Sequence, residues 1–181
     1  RSAEPAKAIT THPALIEAVI TLVKNAGGKP FIGDSPGGPN SPKQISKLLE
    51  STGIADLCER TGIKAVIFDH ETVKIKNSEG KLYTSFTVGK AVQDAGVIIS
   101  LPKLKTHGFM RLTGAVKVLF GVIPGLEKAQ YHLKVPERLD FADMLLDIYL
   151  AVKPALSIMD AIVGMEGDGP SGGTPVHTGT L

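Results

Sequence analysis

Apolar residues recur at helical spacing from Leu15 through Ile16, Val19, Ile20, Leu22 and Val23, and a broad apolar face of that period predicts a helix. Thr11-His12-Pro13 supplies its start, because Pro at the first turn lacks only an N–H that would be unpaired there. Gly27-Gly28 ends it. Ser41 and Gln44 have the spacing of a capping box, and Ile45, Leu48 and Leu49 carry that helix to about Thr52. A short helix is expected over 56–60 and another over about 89–94. The clearest helix spans 137–152, with Phe141, Leu145, Ile148, Tyr149 and Val152 on one side and Pro154 beyond it. Residues 111–119 read as a further helix, and 127–134 is ambiguous.

Short continuous apolar runs bounded by turn residues predict buried strands at 30–34, 64–69, 97–101 and 155–160. Residues 72–75 and 82–88 alternate around Asn77-Ser78-Glu79-Gly80, which predicts an antiparallel hairpin at about 72–88. The Gly-rich stretch 164–173 reads as loop, and 174–181 as the run-in to another strand. Strand and helix in alternation predict an α/β fold: a mostly parallel sheet with helices on both faces, plus the hairpin.

The 181 residues suffice for one domain with a proper core, taken as 1–181. Hydrophobic content of 43% and charged content of 21% are those of an ordinary globular protein. Tryptophan is absent, so the core rests on aliphatic residues. No apolar run approaches the ~20 residues of a membrane span. The single cysteine, Cys58, excludes an internal disulfide and any iron–sulfur cluster held by this chain alone. A cytoplasmic, reducing setting is expected. The chain opens without Met on a polar Arg1–Lys7 stretch, and the expectation is a fragment of a longer protein.

Candidate chemistry centres on Val97-Ile98-Ile99-Ser100-Leu101-Pro102-Lys103-Leu104-Lys105-Thr106-His107-Gly108, read as a strand that stops at Pro102 and opens into a cationic loop. Ligands bind beyond the carboxyl ends of parallel strands. From Leu101 to Arg138 there are seven Lys or Arg against two Glu, a surplus of five (7 − 2), in a chain of formal net charge +2. Lys103, Lys105 and Lys117, with Arg111 and Thr106, are expected to bind a small anion. Aromatic residues for base stacking are scarce there, so nucleic acid is not the expected partner. His107 or His132 could move a proton at neutral pH, with His107 and Lys105 the first choice for catalytic roles. Asp34, Asp69 and Asp160 each close a predicted strand. Asp34, Ser35 and Gly37 lie in a loop that permits close backbone approach to an anion, although it has neither the P-loop nor the GxGxxG pattern. Asp160 and Glu166, flanked by glycines, have the chemistry of Mg²⁺ ligands.

Four motifs then point one way: Gly33-Asp34-Ser35-Pro36-Gly37; Leu101-Pro102-Lys103-Leu104-Lys105-Thr106-His107-Gly108; Leu112-Thr113-Gly114-Ala115-Val116-Lys117 with Leu119-Phe120-Gly121; and Met159-Asp160 with Met165-Glu166-Gly167, Gly169 and Pro170. Together they resemble a widespread bacterial and archaeal domain family of unknown function. It is often described as iron–sulfur-cluster-binding because many members carry a ferredoxin-like module. Val118 stands where the family commonly has Asn. Family members usually begin earlier and end later. The expectation is an enzyme domain that binds a small anionic substrate at the Lys/His loop with acids opposite, linked to redox chemistry through a module this chain lacks. The alternative is a non-catalytic domain that docks an acidic, ferredoxin-like partner.

Overall fold

A computed structural model describes residues 3–39 and 41–181; Arg1, Ser2 and Asn40, the last residue of the first predicted loop, lie outside them. After a 3-10 turn at Pro5–Lys7, helix α1 runs Pro13–Asn25. The His12 ring caps it, accepting from the Ala14 N–H at 3.2 Å. Strand β1 (Ile32–Asp34) leads to α2 (Pro42–Ser51) and α3 (Ile54–Thr61), and β2 (Ala65–Ile67) returns parallel to β1. The capping box at α2 forms as predicted: Ser41 accepts from the Gln44 N–H, and Gln44 reaches back to the Ser41 N–H. The predicted hairpin is present as β3 (Thr72–Lys76) against β4 (Ser85–Gly89), followed by α4 (Lys90–Asp94).

The region read as strand and loop folds otherwise. Pro102 does not end the extended chain. It separates β5 (Ile99–Ser100) from β6 (Lys103–His107), because a residue without an N–H breaks a ladder yet keeps extended φ/ψ. The cationic segment is therefore a strand, buried at Lys103 and half-buried from Leu104 to His107 despite its charge. Arg111–Thr113 is not helix but β7, paired with β6 so that Thr113 faces Lys105. Only Ala115–Val118 (α5) is helical, running into a 3-10 turn at Leu119–Val122. Helices α6 (Gly125–Lys134) and α7 (Arg138–Val152) follow. The last predicted strand is split into β8 (Leu156–Ser157) and β9 (Asp160–Glu166), and β10 (Thr174–Thr180) folds back on β9.

The sheets are mixed rather than mostly parallel. Strands β1–β2, β5–β8 and β6–β9 pair parallel; β3–β4, β6–β7 and β9–β10 pair antiparallel. The connections explain this. Gly108–Met110 and Gly167–Gly173 are too short for a crossover, which takes a dozen residues or more, so the strands they join must turn back.

The larger core gathers Phe86, Val88, Phe120, Ile123, Phe141, Met144 and Ile148 beneath α7. A smaller one holds Ile16, Ile20, Leu57 and Ile63. Cys58 packs at its border, and desolvation pushes its thiol up, so it stays protonated. Buried Asp147 of α7 ties the β3–β4 loop to the core. Its carboxylate accepts the N–H groups of Lys81, Leu82 and Tyr83 at 2.7, 2.8 and 2.9 Å. No described helix is long and apolar enough to cross a membrane.

Candidate functional site

The parallel register of β1 and β2 carries Asp34 and Asp69 to one end of that pair, since Asp34 lies opposite Ile67 and its carbonyl accepts the Phe68 N–H at 3.1 Å. Ser35 then stitches three segments together. Its hydroxyl donates to Asp69 Oδ2, its N–H to the Gly121 carbonyl at 3.0 Å, and its carbonyl accepts from Lys128 Nζ. Asp69 Oδ1 accepts the Gly125 N–H at 2.6 Å, so this carboxylate also fixes the start of α6. Two glycines make the approach feasible. A Cβ at Gly121 would lie 2.5 Å from Asp34 Oδ1, and one at Gly125 would lie 2.4 Å from the Pro36 carbonyl oxygen.

Asp34 keeps access to solvent, yet desolvation by the surrounding protein raises its pKa despite the nearby Lys128 ammonium. Lys128, in turn, is held below its ordinary value by desolvation, with Asp34 and Asp69 opposing the shift.

Lys117 comes from α5, Lys128 from α6 and Lys105 from β6, yet they form one electrostatic group. Desolvation lowers Lys117 to about 8, and repulsion by Lys128 and Lys105 adds to it. Its Nζ lies 4.6 Å from the Phe120 ring centroid and 5.9 Å from that of Phe141. Among the described residues Lys117 forms no ion pair. Lys105 Nζ donates to the carbonyls of Ile9 at 2.5 Å and Pro170 at 3.2 Å. The His132 ring stacks on Phe141 at 4.6 Å and 13°; desolvation and the Lys117 charge lower its pKa, so it is neutral at pH 7. An open groove of about 650 Å³, lined by Phe109, Pro136 and Leu139 among others, meets this aromatic shelf at Phe109, 6.0 Å from His132.

Of the expected site residues, Lys105 and Lys117 thus act on one another, and Asp34 joins them only through Lys128, which acts on both Asp34 and Lys117, with buried Ser35 as a staple beside Asp34. The structure adds Lys128, His132 and Asp69. Asp69 was visible as a strand end, and Lys128 as part of the basic surplus; nothing in the sequence linked either to Asp34.

The remaining expected residues lie elsewhere or are occupied. Lys103 is buried and paired with buried Asp160 at 2.8 Å, whose Oδ2 also accepts the His12 N–H at 2.8 Å. Lys103 cannot reach a ligand without abandoning that partner. Glu166 is exposed, one residue beyond the Met165–Lys105 pair, so Asp160 and Glu166 do not share a cation. Their carboxylates do not fit the Mg²⁺ site expected of them. His107 Nδ1 accepts the N–H groups of Phe109 and Met110, each at 3.2 Å, and so holds the β6–β7 turn. Arg111 is exposed with a φ of 65°. The Thr106 hydroxyl is buried against the Gly169 backbone, where a Cβ would come within 2.5 Å of it. Gly37 lies in an exposed turn with open space around it.

The comparisons with known proteins agree with the motifs. Over 178 residues, 98% of its length, the chain is 35% identical to a thylakoid-associated protein, sll1697, of Synechocystis sp.. It covers 53% of that relative, and so spans about half its length. No solved structure matches the chain. A family model matches residues 1–181 throughout, and the chain belongs to that family, the domain of unknown function DUF362.

Proposed function

We propose that the Lys105–Lys117–Lys128 cluster binds a small anionic substrate and that the chain is the substrate-binding part of an enzyme. One observation carries this reading: Lys117, desolvated, over the Phe120 ring and repelled by two other lysines, has no ion-pair partner among the described residues. Gathering like charges in a partly dry place costs folding energy. An anion would offset that cost, which is the usual sign of a site rather than of scaffold. Asp34 and His132, both shifted toward their neutral forms, stand within the same group as candidates to move protons.

The redox link rests on the family resemblance and on the relative's association with thylakoids. Any cluster would belong to a separate module or partner, because Cys58 is the chain's only cysteine and a cluster takes several thiolates. In this reading the chain works in a reducing, cytoplasmic compartment, and contact with a membrane, if shared with the relative, is peripheral. The docking alternative keeps one support, the local excess of basic residues, several of which, such as Arg111 and Lys134, are exposed.

Calorimetric titration with inorganic phosphate, pyruvate and 2-oxoglutarate tests the reading. At least one should bind, and Lys117→Met should remove that binding while circular dichroism stays unchanged. Binding that survives Lys117→Met, or no binding by any of the three, would refute the assignment.

A further inference from the structure

We propose that Lys117 is an amine nucleophile that condenses with the carbonyl carbon of a small anionic 2-oxo acid, whose carboxylate is held by Lys105 and Lys128. The inference rests on the anion-binding reading and adds the reaction class to it. Three features of the geometry point to it. First, Lys117 Nζ lies against the face of Phe120 at 4.6 Å, and no described carboxylate pairs with it; Asp34 and Asp69 act on Lys128 instead. Second, two further lysines, one from β6 and one from α6, are near enough for their charges to repel it, and together they would draw an anionic group toward the amine. Third, the His132 imidazole shares the Phe141 shelf with it, with centroids 4.6 Å apart.

A lysine nucleophile must be uncharged, and burial beside other cations is the established way to make it so. With Lys117 at about 8 against an ordinary value near 10.5, its free-amine fraction at neutral pH is roughly 300 times that of a surface lysine. The lone pair of the neutral amine forms the new C–N bond, and the proton that the nitrogen then releases passes, through neutral His132 or water, to the carbonyl oxygen to give a carbinolamine. One further proton, delivered by water, lets that oxygen leave as water. The sum is amine plus carbonyl plus one proton giving an iminium ion plus water, with no oxidant or reductant required. The nitrogen ends positive, so the ring of Phe120 can stabilise the product cation as it does the ammonium.

Borohydride trapping on the wild-type chain tests this. The protein is incubated with pyruvate, oxaloacetate or 2-oxoglutarate, reduced, and peptide-mapped by mass spectrometry. The expected result is an adduct on Lys117 favoured at least about tenfold over other lysines, since lower basicity takes back part of the free-amine advantage. Lys128→Met should slow trapping, because it removes one of the charges that depress Lys117 and one that holds the anion. An adduct spread evenly over surface lysines overturns the proposal. Binding by calorimetry without trapping overturns the nucleophile and leaves the anion site standing. Phosphate binding with no oxo-acid binding rejects the substrate class, and no anion binding at all rejects both readings.

Discussion

Replacing Lys117 by Met should stabilise the protein at neutral pH. In the unfolded chain this lysine titrates near 10.5, and in the folded protein at about 8. Below pH 8 both states carry the charge, and the fold bears the full penalty. Between about 8 and 10.5 the folded protein has released the proton while the unfolded chain still holds it, so stability rises with pH. At about 1.4 kcal/mol per tenfold change in affinity for the proton, the penalty is at most roughly 3.5 kcal/mol. Residual contact with water screens part of it, and the substitution also forfeits a cation–π contact of about 0.5–1 kcal/mol. A net gain of about 1–2 kcal/mol remains, or roughly 2–8 °C in Tm for a chain of this size. Met keeps most of the side-chain volume and its sulfur suits the Phe120 ring. Urea unfolding at pH 7 and pH 10, without added anions, measures the effect. The advantage of Lys117→Met should be present at pH 7 and nearly gone by pH 10. A variant that is less stable than wild type at pH 7, or equally more stable at both pH values, would refute the reasoning.

The two buried acids, Asp147 and Asp160, each hold their surroundings in a way that substitution can test. Asp147→Ala strands three backbone N–H donors and should cost about 3–5 kcal/mol in urea unfolding, with amide exchange accelerated first across the 77–84 loop. A smaller loss than about 1 kcal/mol would mean that water replaces the carboxylate. Lys103→Ala leaves Asp160 buried and uncompensated, a loss of about 3–5 kcal/mol, whereas the double change Lys103→Met with Asp160→Leu should recover much of it. Anion binding should survive that double change, since neither residue belongs to the lysine cluster; loss of binding in a folded double variant would place Lys103 back in the site.

Local rules made α1, α2 and α7 legible. The capping box at Ser41, the helix start at Thr11-His12-Pro13 and the apolar stripe of α7 are written within single segments, and each formed where expected. The β3–β4 hairpin was legible because its alternation and its turn lie side by side in the chain. Strand β6 was not. Three groups able to carry charge in five residues read as loop, and only pairing with β7 and β9 shows why Lys103 is buried. For the same reason the proposed site was half visible. Asp34, Lys105 and Lys117 stood out by residue type and position, but His107 was favoured over His132 because it lay closer in sequence to the lysines. The fold reverses that order: the His107 ring closes a turn, while α6 carries His132 and Lys128 back to Lys117. A distance of eleven or fifteen residues along the chain says nothing of such a return.

The convergence of Lys105, Lys117 and Lys128 can be measured without a ligand. Reductive ¹³C-methylation followed by NMR titration gives each lysine its own pKa. Lys117 should titrate at about 8 and move upward in the Lys128→Met chain. A value for Lys117 near that of an exposed lysine, unchanged by Lys128→Met, would contradict the existence of the cluster.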